Sequence, residues 1–226
     1  MIDPLDNVPW VALSTVQQHF NTGNEAVKYF PAEVAPFIGL EHWNEKDREN
    51  LLQYLPDNRT FFLLVAQPVT LPEELEIVFT TPIYQMVCEK FIPGTERNIQ
   101  TLPLVKEHVP QMIELTRLTR PGPFTQRTIE FGNYRGVFDE DKLVAMAGER
   151  LQVPGYTEVS AICTHPDYTG RGYAAHLLEE AMQRIIDAGN SPFLHVRADN
   201  TGAVELYKKR GFYIRKDVSF AVFRKK

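Results

Sequence analysis

The spacing of apolar residues divides the chain into two parts. In roughly the first hundred residues prolines recur so often that only short helices and strands can form between them. The pattern there predicts short helices at 25–29 and 45–54 and apolar strands at 61–66 and 76–79. The segment 93–98 is the best candidate for a boundary, so this part is expected to be a lobe of its own.

From about Thr101 onward, strands and helices alternate regularly. A hairpin is expected at 134–150 and a half-buried strand at 157–164. Apolar residues then recur every three or four positions from Ala174 to Ile186, which is the pattern of a helix with one buried face. A strand at 192–197, a helix at 200–210 and a closing hairpin, with strands at 212–215 and 218–223, complete the order.

This order predicts an α/β fold: a mixed sheet with helices on its faces. We assign residues 1–98 to the N-terminal lobe and residues 99–226 to the second domain. No internal repeat or low-complexity tract interrupts either part.

Composition and charge narrow the functional classes. Of 226 residues, 43% are hydrophobic, and the formal net charge of −5 includes no long basic block, so disorder and nucleic-acid binding are not expected. Two distant cysteines in apolar surroundings indicate reduced thiols and a cytoplasmic protein. Neither a signal peptide nor a membrane span is predicted, and the six histidines lack the spacing of a metal site.

A loop with two glycines joins the strand at 157–164 to the helix after it. The backbone can approach a ligand closely at Gly170 and Gly172, and the helix N-terminus adds unpaired N–H groups and partial positive charge. The loop therefore suits a phosphate group, with a purely structural glycine turn as the simpler alternative.

Two nucleotide-binding motifs fit the glycine loop poorly. The Walker pattern is absent, because no Gly-Lys-Ser or Gly-Lys-Thr occurs. The dinucleotide fingerprint matches Gly170, Gly172 and Ala175, with Asp199 as the ribose-binding acid. However, residues 165–169 separate the strand from the first glycine, and too little chain follows for the remaining units of that fold.

The segment from Val159 to Ala174, followed by Asn200-x-x-Ala203-x-x-Leu206-Tyr207-x-x-x-Gly211-Phe212, resembles the GNAT superfamily of acyl-CoA N-acyltransferases. The superfamily signature is Gln or Arg, two residues, Gly, one residue, then Gly or Ala. Here it becomes Thr169-Gly170-Arg171-Gly172-Tyr173-Ala174, with Thr169 in place of the usual long polar side chain. The resemblance covers about Leu102 to Phe223, and the N-terminal part is similar to bacterial two-lobed members.

The resemblance implies a GNAT-like fold with an additional N-terminal lobe and acetyl-CoA as co-substrate. The acetyl group would pass by direct attack to a primary amine of a small molecule or peptide. The residues expected to bind acetyl-CoA are Ile162, Cys163, Thr164, Thr169, Gly170, Arg171, Gly172, Tyr173, Ala174, Asn200 and Tyr207.

The resemblance also suggests roles in the chemistry. Glu158 stands where many members keep a general base, although it could equally be a solvated strand residue, with a water chain removing the proton instead. Tyr207 stands where the superfamily has a tyrosine that protonates the leaving thiolate; the alternative is an aromatic core residue. Cys163 is expected to pack in the interior and not to act as a nucleophile.

The sequence does not identify the amine that accepts the acetyl group. The resemblance implies that it enters between residues 119–127 and the last hairpin near Val218, where Arg120 and Arg127 would suit a carboxylate-bearing amine. The acidity of the chain suits a polyamine or an aminoglycoside instead. The rival function is a non-catalytic acyl-CoA sensor or partner module, with a dinucleotide-binding oxidoreductase a more distant alternative. No nucleic-acid or membrane partner is expected, and monomer and homodimer both stay open.

Overall fold

The computed structural model describes residues 3–95 and 97–226 of the chain. The helices are α1 Val8–Ser14, α2 Glu45–Tyr54, α3 Val109–Thr119, α4 Tyr173–Asp187 and α5 Thr201–Lys209. The strands are β1 Lys28–Tyr29, β2 Ile38–Gly39, β3 Phe61–Val65, β4 Leu75–Thr80, β5 Ile83–Cys88, β6 Leu102–Pro103, β7 Arg135–Asp139, β8 Lys142–Val153, β9 Tyr156–Thr164, β10 Ser191–Arg197 and β11 Phe212–Lys225.

Nine strands form one sheet in the order β3-β11-β5-β10-β9-β8-β7-β6, with β4 also paired to β11. Strands β1 and β2 form a small separate sheet. Strand β5 belongs to the first hundred residues, yet it lies between β10 and β11 in the middle of the large sheet. Hydrogen bonds between strands thus join the two sides of the expected division at 98/99. The division into two domains stays a prediction.

Helices cover both faces of this sheet. The apolar stripe of α4, which includes Leu178 and Met182, packs on one face together with Val159 of β9 and Val204 of α5. On the other face α1 packs against β8, and α3 packs against both β8 and β9, with Cys163 of β9 in the same core. Burying a leucine or methionine side chain contributes about 1.5–3 kcal/mol, so the stripe accounts for much of the attachment of α4.

The mixed α/β fold and most elements of the second part are as expected, but three details differ. The segment 25–29 is not a helix, because the side chain of Asn24 accepts hydrogen bonds from the N–H groups of Ala26 and Val27 and forms a turn before β1. The expected closing hairpin is wrong as well. A single long strand, β11, passes through a bulge between Ile214 and Lys216 while it stays paired to β5. The third difference is β5 itself, which the sequence pattern did not predict.

None of the helices in the described part of the chain combines the length and the hydropathy needed to cross a membrane.

Candidate active site

The site lies where two parallel strands part. Strands β9 and β10 pair from Tyr156 opposite Ser191 as far as Glu158 opposite Phe193, and no further pairing between them follows in the described residues. Beyond that point residues 159–164 and 194–197 line a cavity of about 640 Å³. This volume lies within the roughly 300–1,000 Å³ range of small-molecule sites.

A bulge in β9 shapes the wall of this cavity. Met146 of β8 is opposite Cys163 and Gly148 is opposite Ser160, so two residues of β9 face a single residue of β8. Ala161 takes up the extra length in a left-handed conformation with φ of +53°. A bulge removes backbone groups from the ladder and re-aims the chain, so the expected ligand-binding stretch from Ile162 to Thr164 borders the cavity.

One buried atom of this stretch fits an extended ligand. The side-chain oxygen of Thr164 is buried and has no hydrogen-bond partner within residues 3–95 and 97–226. Thr164 lines the cavity, so a polar group of a bound molecule could satisfy this oxygen.

The glycine loop has the conformation that its sequence requires. Gly170 and Gly172 have φ of +78° and +83°, and Gly172 precedes the first residue of α4 without any side-chain cap. A Cβ on Gly172 would lie only 1.2 Å from Nη1 of Arg97. The guanidinium of Arg97 thus lies against the helix N-terminus, beside the loop that also carries Arg171. This set of groups fits a diphosphate.

Two expected residues of the α5 region also line the cavity. Asn200 caps α5, since its Oδ1 accepts a hydrogen bond of 3.3 Å from the N–H of Ala203. Tyr207 is 8% exposed, and burial raises the pKa of its hydroxyl to about 12. Its hydroxyl makes no hydrogen bond to any residue that the structure describes. The phenol therefore keeps its proton at neutral pH and is free to donate it.

Glu158 lies behind the cavity wall and is fully buried, so it is not a solvated strand residue. A bulge in β8 sets Arg150 and Leu151 together opposite Glu158. Arg150 donates to both carboxylate oxygens, at 2.8 and 2.6 Å, and the N–H of Leu151 adds a bond of 3.2 Å. Burial alone would raise the pKa of this carboxyl, but Arg150 and His195 together hold it at about 2.

His195 joins Glu158 to the centre of the sheet. Its Nδ1 lies 2.7 Å from Oε1 of Glu158, and its Nε2 lies 3.1 Å from Nε2 of Gln85. Arg215 donates to Oε1 of Gln85 at 2.7 Å, which leaves the amide nitrogen of Gln85 as a donor. His195 therefore accepts at Nε2 and donates from Nδ1 to the carboxylate.

Sequence reasoning missed Arg150 and His195 as parts of the site. The signal for His195 was a single imidazole within the apolar strand Phe193-Leu194-His195-Val196. Arg150 carried no comparable signal, because the bulge that turns its guanidinium inward depends on the register of β8 with β9.

Parts of the chain that are distant in sequence also line the cavity. Phe37, Phe62 and Phe220 line it together with Arg120 and the turn that follows α3. Arg127 does not line it and is paired with Glu130, with Nε 2.7 Å from the carboxylate. Of the two arginines expected at the acceptor entrance, the structure therefore places only Arg120 there.

Cys163 lines the cavity but is buried, and burial raises the pKa of its thiol to about 11. A neutral thiol is a poor nucleophile. This agrees with the expectation that Cys163 packs in the interior.

Comparisons with known proteins agree with this geometry. The profile of the family described as FR47-like protein matches residues 134–221. Mycothiol acetyltransferase from Corynebacterium aurimucosum is 37% identical over 65 residues, which are 28% of this chain and 21% of that enzyme. The match thus spans about a fifth of that relative.

Solved structures extend the likeness over the whole chain. A GNAT-family protein from Novosphingobium aromaticivorans superimposes with a TM-score of 0.90 at 29% identity, covering 99% of both chains. A GCN5-related N-acetyltransferase from Kribbella flavida has the same fold, with a TM-score of 0.64 at 13% identity and 95% of each chain covered. The expected fold class is confirmed, and the chain is a member of the GNAT superfamily of acetyltransferases.

Proposed function

We propose that the chain transfers the acetyl group of acetyl-CoA to a primary amine by direct attack of the amine. The observation that carries this proposal is the hydroxyl of the largely buried Tyr207, which is free of hydrogen bonds to the described residues, in the cavity where β9 and β10 part. Superfamily membership and the conformation of the glycine loop support the choice of co-substrate.

Acetyl-CoA would supply the activated acetyl group, and three parts of the chain would hold it. The loop from Thr169 to Ala174 would bind the diphosphate through backbone N–H groups, with Arg171 and Arg97 adding charge. The bulged stretch from Ile162 to Thr164 would bind the pantetheine arm. Asn200, already engaged as the cap of α5, would reach the same arm.

The bulge of β9 also supports a role for its backbone N–H groups in polarising the thioester. Backbone N–H groups released from the strand ladder are fixed donors, and such donors stabilise an oxygen that gains negative charge. Because they are held by the fold and need no reorganisation, one donor of this type can account for about 10²–10³-fold in rate.

Tyr207 is proposed to protonate the departing thiolate. A buried phenol with a pKa of about 12 is a weak acid in water. A thiolate held in the same cavity is destabilised by the same burial, so its proton affinity rises as well. Donation then depends on contact between the two groups, which the free hydroxyl allows.

The amine must lose a proton before it attacks. Both oxygens of Glu158 are engaged by Arg150 and His195, and a carboxylate with a pKa of about 2 is a weak base. We therefore favour water in the cavity as the acceptor of this proton, with Glu158 holding Arg150 and His195 in position. Direct transfer of the amine proton to Glu158 stays a prediction, which the substitution Glu158→Gln tests.

The proposal is tested with the purified chain, acetyl-CoA and a panel of amines, with a thiol-detecting reagent following CoA release. Release that depends on an amine, together with thermal stabilisation by acetyl-CoA, is the expected result; a ligand at 100 times its Kd adds about 2.7 kcal/mol. Stabilisation by acetyl-CoA without turnover for any amine would indicate a sensor. Stabilisation by NAD and not by acetyl-CoA would overturn the proposal altogether.

A further inference from the structure

We propose that the acceptor is a free α-amino acid with a large apolar side chain. The inference rests on the proposed acetyl transfer and concerns the part of the cavity that is lined by Phe37, Phe62, Phe220 and Arg120. It is carried by the aromatic wall there and by the signs of the charges that line the cavity.

The wall is a row of phenylalanine rings from three separate parts of the chain. Phe37 and Phe62 meet edge to face at 6.0 Å, and Phe62 meets Phe220 in the same way at 5.4 Å. Phe62 and Phe220 are only partly buried, so their remaining exposed surface lies at the cavity. An acceptor with a large apolar group would remove this surface from water, which favours binding.

The charged side chains of the cavity are all basic. Among the described residues its lining includes Arg120, Arg150 and Arg197 but no aspartate or glutamate. Arg150 is neutralised by Glu158, and Arg197 by Asp199 at 2.5 Å. A polyamine or aminoglycoside would therefore bring several ammonium groups into an apolar space that offers them no carboxylate, which is costly.

Arg120 is the exception among these cations. Within residues 3–95 and 97–226 its guanidinium has neither an ion-pair partner nor a hydrogen bond. It ends α3 in a left-handed conformation with φ of +52°, which holds the residue at the turn bordering the cavity. A carboxylate would pair with this guanidinium, while an apolar side chain contacts the phenylalanine rings and the amine stays free to attack.

The test compares L-phenylalanine, L-phenylalaninamide and spermidine as acceptors, each at a fixed saturating concentration of acetyl-CoA, for the wild type and for Arg120→Gln. Phenylalaninamide keeps the amine and the ring and has a neutral amide in place of the carboxylate. Arg117→Gln is the matched control, because Arg117 is also exposed on α3 and does not line the cavity.

We expect phenylalanine to give a kcat/KM at least about tenfold above that of the amide and of spermidine. Arg120→Gln should raise the KM for phenylalanine about tenfold and leave the KM for the amide unchanged, whereas Arg117→Gln should change neither. A preference for spermidine or for the amide would overturn this inference and leave acetyl transfer standing. Absence of CoA release with every amine would overturn the proposed function, and this inference with it.

Discussion

The carboxylate of Glu158 lies 2.7 Å from Nδ1 of His195, at the level where β9 and β10 stop pairing. The same carboxylate binds Arg150, whose guanidinium lies 4.8 Å from the ring centre of Phe37. Glu158 therefore fixes two side chains that line the cavity, although it does not line the cavity itself. If Glu158 holds these side chains in position, its substitution should lower stability. If it is the general base, its substitution should lower turnover.

Glu158→Gln should destabilise the chain strongly. The substitution keeps the size of the side chain but leaves the buried guanidinium of Arg150 without a counter-charge, and breaking a buried pair costs about 3–5 kcal/mol. Urea unfolding at pH 7 measures the loss. Glu76→Gln is the control, since the pair of Glu76 with Arg224 is exposed and its removal should barely move the midpoint. A variant as stable as the wild type that has lost turnover would favour the direct base.

The pH dependence of stability follows from the same carboxyl. The pKa of Glu158 falls from 4.5 to about 2 on folding. Its contribution to the free energy of unfolding is therefore complete above pH 4.5 and is lost as the pH falls towards 2. The free energy of unfolding of the wild type should therefore decline between about pH 5 and pH 2. Glu158→Gln should decline less over this range, so that the two stabilities converge in acid. Parallel curves would contradict the assigned pair.

The sequence was most informative where local chemistry decides the structure. The stripe of α4, the cap at Asn200 and the two glycines of the loop each depend on neighbours within one turn, and each is found as expected. The inward turn of Arg150 and the ring contacts between Phe62 and Phe220 depend on strand register and on distant segments, which local patterns do not encode. For the same reason the local pattern indicates two strands where the structure has the single strand β11.

Cys163→Ala should retain turnover within about threefold of the wild type. The thiol has a pKa raised to about 11 by burial, so at neutral pH almost none of it is the reactive thiolate. Steady-state kinetics gives the rate, and mass spectrometry of the wild type mixed with acetyl-CoA should show no acetylated enzyme. Loss of kcat by several orders of magnitude, together with an acetylated Cys163, would indicate a covalent route instead of direct attack.

Arg97→Ala should weaken acetyl-CoA binding about tenfold at low salt and leave kcat unchanged, because its guanidinium lies against Gly172 at the proposed diphosphate site. The difference from the wild type should shrink at high salt, since Arg97 is exposed and its charge is screened. Calorimetric titration at two ionic strengths measures both effects. Arg117→Ala is again the control, and an unchanged Kd for Arg97→Ala would remove this residue from the site.

Tyr207→Phe should lower kcat by about 10²–10⁴-fold, the usual contribution of a positioned acid, while the Kd for acetyl-CoA changes little. The hydroxyl has no partner among the described residues, so its removal leaves none of their polar groups unpaired and should not destabilise the fold. Because burial raises its pKa to about 12, the wild type should show no loss of kcat from this group below about pH 10. Tyr213→Phe, at an exposed position of β11, should match the wild type. Full activity of Tyr207→Phe would show that the thiolate leaves without this proton.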